Sequence, residues 1–279
     1  MFRWLAGRGA TSRDTALQQA RIEDAAWQAA CAALPFLAGL SAEEDASLRA
    51  RAAWLLASKT FSGAHGMVIT DDIMLSIAIQ AALPILALDP AWYEGWVEII
   101  VYPGGFMIPR REQEDSGVVH EYLQEASGEA WEGGPVILSW EDAGPGQALR
   151  DNVVIHEFAH KLDLRSGDME GMPSLVGTGI SPAVWQQTLQ QALDAFETAV
   201  LQVEAAIPPD MDPESEDAFP WYASLPMDPY AATDEAEFFA VSSEVFFADP
   251  APLADWFPGW YALLSKFYRQ DPLARLPQT

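Results

Sequence analysis

An α+β fold is what this sequence predicts, on three observations. Apolar residues recur at helical spacing over both ends of the chain, and short β-type runs bounded by glycine and proline are confined to the stretch between Trp92 and Trp140. The third is size: 279 residues with 50% hydrophobic content can close a sizeable core. No internal repeat or linker composition divides the sequence. Residues 1–279 are therefore read as one domain, with a helical N-terminal layer over about 14–90 and a sheet-bearing part over about 91–270.

Each element has a local reason. From Asp14 to about Ser58, Leu17, Ile22, Trp27, Leu34 and Leu37 punctuate alanine-rich helical stretches, Pro35 and Gly39 interrupt them, and Ser41-Ala-Glu-Glu44 reads as a capping box. Thr70-Asp-Asp72 opens an apolar helix expected to run through Leu88 and to end at Asp89-Pro90. The strands are Val97–Tyr102, Gly117–Tyr122 and Pro135–Trp140, which make a small mixed sheet. Gly144-Pro-Gly146 then opens a helix from about Gln147 to Leu164, and another runs from Pro182 to about Ala206. Pro208–Asp217, rich in proline and acid, is a solvated loop; helices at Asp234–Phe247 and Trp256–Tyr268 complete the chain.

Charge and cysteine usage narrow the class of partner. Fifteen basic against 41 acidic residues give a net charge of −26, which repels nucleic acid and anionic membrane over most of the surface, so neither is an expected partner. The single cysteine, Cys31, cannot form an internal disulfide, and no apolar run lies among Arg3, Arg8 and Arg13; both fit a reducing cytoplasm. Ile73–Leu88 is 16 residues long and contains Ser76, Gln80 and Pro84, so it reads as a buried helix and not as a membrane span.

The chemistry sits in Val153-Val-Ile-His-Glu-Phe-Ala-His160. Histidines four apart on a helix project from one face, so His156 and His160 can reach one metal ion, and Glu157 beside them can take a proton from water without being a ligand. Val153, Val154, Ile155, Phe158, Ala159, Leu162 and Leu164 point in nearly every direction around the helix. Two imidazoles and a carboxylate inside so buried an element need strong partners, which an ordinary packed helix lacks and a zinc ion supplies. His120-Glu121 is a decoy: position 124 is Gln and the local alternation is that of a strand. His65 lies in a loop-like stretch and reads as structural.

Catalytic zinc takes three protein ligands and keeps a fourth position open. No histidine follows His160, so the third ligand is a carboxylate. Glu237 and Glu244, seven apart, share one face of the apolar helix after Asp234, and either could instead reach solvent at its edge; spacing does not choose between them. Asp163 could orient a ligand histidine or end the helix.

Several longer pieces carry a resemblance. Asp89-Pro-Ala-Trp-Tyr-Glu94, Ile99-Ile-Val-Tyr-Pro103, Gly128-Glu-Ala-Trp131, Gly134-Pro-Val-Ile-Leu-Ser-Trp140, His156-Glu-Phe-Ala-His-Lys-Leu-Asp163 and Tyr230-Ala-Ala-Thr-Asp-Glu-Ala-Glu-Phe-Phe-Ala240 resemble the Mlc titration factor A family of bacterial zinc peptidases, over about residues 60–250. The catalytic part is also similar to the protease domain of anthrax lethal factor, with a comparable spacing of seven from Tyr230 to Glu237. The resemblance implies a zincin-type α+β fold, one zinc ion per chain, Glu237 as third ligand and Tyr230 as the phenol that steadies an oxyanion, with Glu244 behind the ligands. It implies an aminopeptidase-like hydrolase of peptide amides. It also implies a second role, sequestration of a Mlc-like transcriptional repressor. The sequence departs from the family pattern at Asp210–Asp217 and at Arg165-Ser-Gly-Asp-Met-Glu170, both of which bear on substrate preference.

Overall fold

The structure, a computed structural model, describes residues 22–113, 119–146, 151–213 and 215–276. The expectations for a helix beginning at Asp14, a strand beginning at Gly117 and a helix beginning at Gln147 start outside the described residues; the last is corrected within them, since residues 151–152 are not helical and the helix begins at Val153 behind its cap, Asn152.

Two helices open the N-terminal layer, α1 (Asp24–Ala32) and α2 (Ala42–Ser58). The expected capping box is formed at α2: the Glu44 N–H donates to Ser41 Oγ and the Ser41 N–H donates to Glu44 Oε2, at 3.2 and 2.8 Å. Helix α3 (Asp71–Ala82) is capped by Thr70 as expected, but it stops six residues short of Leu88. Pro84 is the reason, since it has no N–H to give and its ring collides with the carbonyl one turn back; the chain continues in single turns to Leu88.

The sheet has the order β1-β2-β6-β5, built from β1 (Thr60–Gly63), β2 (Glu98–Tyr102), β6 (Val136–Ser139) and β5 (Gly128–Ala130). The first three are parallel, with Ile99 opposite both Phe61 and Val136, and β5 runs antiparallel to β6. Between β2 and β5 the chain makes a separate antiparallel hairpin, β3 (Phe106–Gln113) with β4 (Val119–Ala126). His120 lies in β4, in strand as expected. Strand β6 is interior to the sheet, whose two edges are β1 and β5. Sequence reading passed over β1, β3 and β5. Two of them, at four and three residues, are too short for alternation to show.

The remaining helices are α4 (Trp140–Ala143), α5 (Val153–Asp163), α6 (Pro182–Glu204), α7 (Phe219–Tyr222), α8 (Glu235–Ala248), α9 (Pro250–Trp256) and α10 (Pro258–Tyr268). The final helix expected from Trp256 begins two residues later, at Pro258, and α9 before it was passed over; Phe257, at φ −129° and ψ 61°, separates the two.

One cluster of buried apolar side chains runs from Ile22 to Tyr268. Helix α8 lies at its centre, where every residue from Ala236 to Phe247 except Glu237 is buried, and Trp185, Trp260, Phe239 and Phe267 pack edge to face around it. Helix α5 is enclosed by α3, α8 and strands β5 and β6. Its Val154, Ile155, Phe158, Ala159 and Leu162 are fully buried, as its all-round apolar pattern requires. Among the described residues no helix is long and apolar enough to cross a membrane.

Candidate metal centre

The first turn of α5 is fixed before any ligand is considered. Asn152 caps it, accepting the Ile155 N–H at 2.9 Å, while its side-chain amide donates to Gln80 of α3 at 2.8 Å. The backbone N–H of Asn152 donates to Glu244 Oε2 at 2.5 Å, and the other oxygen of that carboxylate lies 2.7 Å from His156 Nδ1. Glu244 thus ties the helix start to the imidazole one turn along it. Holding Nδ1 in this way leaves Nε2 of His156 to face the cleft.

Three ligand-type atoms meet there. His156 Nε2 and His160 Nε2 are 3.0 Å apart, and Glu237 Oε2 lies 3.1 Å from the first and 3.4 Å from the second. A tetrahedral zinc with bonds of about 2.0–2.1 Å separates its ligands by roughly 3.3–3.4 Å, so a ligand triangle with these edges fits a single small cation. The polar inventory agrees. His160 Nδ1, Glu237 Oε2 and Glu157 Oε2 are buried and make no hydrogen bond of good geometry, an arrangement that favours a bound cation. Among the described residues, His156, His160 and Glu237 are the group of side chains able to hold a metal ion.

Electrostatics point the same way. Burial works against charge on His156, but hydrogen bonds to Glu237 and Glu244, with Glu157 nearby, raise its pKa well above the ordinary range. Glu237 is opposed by burial too, yet the two imidazoles hold its carboxyl far below the usual carboxylate range. Glu157, 4% exposed, is pushed up to about 8, first by burial and then by the negative charges of Glu237, Glu129 and Glu244, against the pull of His156. The ionised Glu237 beside two imidazole nitrogens is a donor set suited to a dication.

The cleft around these groups has a volume of about 400 Å³, and Gly128, Glu129, Met169 and Tyr230 contribute to its walls. Tyr230 sits in a single turn, Pro229–Ala232, whose start is capped by Asp228 at 2.7 Å from the Tyr230 N–H. Its ring centroid is 6.3 Å from that of His156, and the side chain is 43% exposed at the rim. Asp163 has a different partner: it accepts the Gly171 N–H at 2.6 Å, tying the end of α5 to the next turn, and burial pushes its carboxyl up to about 6. His65 packs against Tyr102 with the rings tilted by 58° and their centroids 5.0 Å apart, outside the metal group.

Sequence reading missed Asn152, Gln80 and Gly128 as parts of this centre. Asn152 carried a usable signal, a cap residue directly before an apolar run. Gly128 did not, because its reason is tertiary: a Cβ there would lie 2.3 Å from Glu157 Oε1 and 2.6 Å from its Cγ.

Comparison with known proteins gives this geometry a family. The chain is 40% identical over 252 residues to the Mlc titration factor A of Pectobacterium atrosepticum, covering 90% of this chain and 88% of that relative. It is 37% identical over 247 residues to proteins of the same name from Yersinia pestis and Yersinia pseudotuberculosis, covering 87% of this chain and 84% of each. A metallopeptidase of this kind implies a metal ion, and His156, His160 and Glu237 offer it a site. Matched over residues 8–269 by the family described as Glucose-regulated metallo-peptidase M90, and by these relatives over most of its length, the chain belongs to the Mlc titration factor A family of metallopeptidases.

Proposed function

We propose that this protein is a zinc-dependent peptidase, aminopeptidase-like, that hydrolyses peptide amide bonds. The observation that carries the proposal is the triangle of His156 Nε2, His160 Nε2 and Glu237 Oε2 with the buried carboxylate of Glu157 beside it. In this reading His156, His160 and Glu237 hold one zinc ion per chain. When bound, that ion acidifies water and polarises the scissile carbonyl. Glu157 takes the proton of the attacking water and passes it to the leaving amine, a task for which a carboxylate with a raised proton affinity is suited. Tyr230, at the rim, donates its O–H to the developing oxyanion. The whole chain is taken as one zincin-type unit acting in the cytoplasm.

Substrate placement follows from the edge strand. Ser139 N–H donates to Ser127 O and Trp131 N–H to Pro135 O, so residues 127 and 131 turn their backbone groups toward β6. Alternation then directs the N–H and C=O of Gly128 and Ala130 away from the sheet, where an extended peptide can pair with them above Glu157.

A second reading rests on the name of the relatives. Sequestration of a Mlc-like repressor would use the surface and not the metal chemistry. Glu157→Gln separates the two. We expect it to retain stoichiometric zinc, to lose about 10²–10⁴-fold in amide hydrolysis and to keep any repressor titration. Wild-type protein that takes up no stoichiometric zinc after metal-free purification and zinc readdition would overturn the peptidase reading.

A further inference from the structure

One turn beyond Glu157, α5 carries a lysine that the metal chemistry does not use. Lys161 is 3% exposed, and its Nζ donates to the carbonyl oxygens of Trp131 and Gly134 at 2.5 and 2.9 Å. The ammonium also lies 4.8 Å from the centroid of the Trp96 ring, whose position is in turn held by Lys59 through the carbonyl of Trp96. Burying a lysine is unfavourable unless its donors are met, and here two carbonyls and an aromatic ring meet them.

What those carbonyls belong to matters more. Residues 131–134 are the turn between β5 and β6, closed by Gly134 N–H donating to Trp131 O at 3.1 Å. Lys161 therefore grips the far end of β5. The near end, Gly128, rests directly on Glu157, with no room between them for a Cβ. Glu157 and Lys161 are four residues apart on one face of α5, so one helix face meets both ends of the same three-residue strand. A strand so short, paired to the sheet along one side only, has little else to fix its height above the helix.

We infer that Lys161 is a positioning residue for substrate: acting through the turn at residues 131–134, it fixes the free edge of β5 relative to Glu157. The kinetic part of this inference rests on the peptidase reading above; the structural part does not.

The test uses zinc-loaded full-length protein and Lys161→Met, which keeps the length of the side chain and removes the donors. Hydrogen exchange over residues 128–134 should quicken about fivefold or more, with exchange over residues 153–163 unchanged. KM for an internally quenched peptide long enough to lie along β5 should rise about tenfold, while kcat for that peptide and both constants for a single aminoacyl amide stay within about twofold. Should Lys161→Met lose protection throughout the chain, the same ratios are read in Lys161→Gln, which keeps one donor group. Equal losses on the long and short substrates would make the role merely structural and overturn the inference, as would unchanged exchange over residues 128–134. A wild type that hydrolyses neither substrate overturns the peptidase reading instead, and the exchange ratio then decides the placement role of Lys161 by itself.

Discussion

Helix α8 carries polar groups on two sides, and the two are treated differently. On one side Ser243 Oγ donates to Phe239 O at 2.6 Å and pairs with Tyr268 OH at 2.8 Å, while Ser242 Oγ accepts the Trp260 Nε1–H at 2.9 Å. Every one of those buried groups has a partner. On the other side Glu237 Oε2, with Glu157 and His160 across from it, is buried without hydrogen bonds that satisfy it. A satisfied buried network specifies a core, whereas an unsatisfied one marks a place where the fold has given up stability for a ligand.

Removing Glu237 should have the largest effect. We expect Glu237→Ala to weaken zinc binding by more than about 100-fold, read by competition with a fluorescent chelator, because it deletes a ligand and leaves two imidazoles facing each other. The next effect is that of pH. His156 has its proton affinity raised by the surrounding carboxylates, and zinc must displace that proton, so apparent zinc affinity should fall by up to about tenfold for each unit of pH below the raised His156 value. Measured between pH 8 and 6, an affinity that stays flat would mean that the imidazole is already neutral and that Glu237 and Glu244 do not hold its proton.

Glu244→Gln should lower zinc affinity by about 10–100-fold and flatten that pH slope, since Glu244 both orients His156 and raises its proton affinity. The satisfied side should behave oppositely. Ser243→Ala leaves Tyr268 OH short of a partner and should destabilise the fold by about 1–2 kcal/mol in urea unfolding, with zinc affinity unchanged. A change in zinc affinity there would erase the distinction between the two sides of α8.

Much of the centre was legible in the sequence because helix spacing is a geometric statement. His156, Glu157 and His160 follow from it, and so does the shared face of Glu237 and Glu244. Which of the two glutamates meets Nε2 and which meets Nδ1 was not legible from spacing and came only from the family resemblance, because it depends on the packing of α8 against α5, and that is set by apolar side chains all around both helices. The end of α3 was written in Pro84, and reading the apolar run without weighing that proline lengthened the helix, while the seven residues of α9 were passed over. Strand β5 was out of reach, since three residues hold no period and the need for glycine at 128 lies in a side chain 29 positions away.

The link between Glu244 and His156 also has a bearing on synthesis. The two residues are 88 positions apart. A ribosome adding about 5–20 residues per second therefore makes the two histidines some 4–18 s before Glu244. For most of that interval the nascent chain has two of the three ligands, His156 and His160, and no clamp on the first imidazole. Metal capture in the final geometry belongs to the finished polypeptide, so a truncated translation product would carry the histidine motif and still be inert.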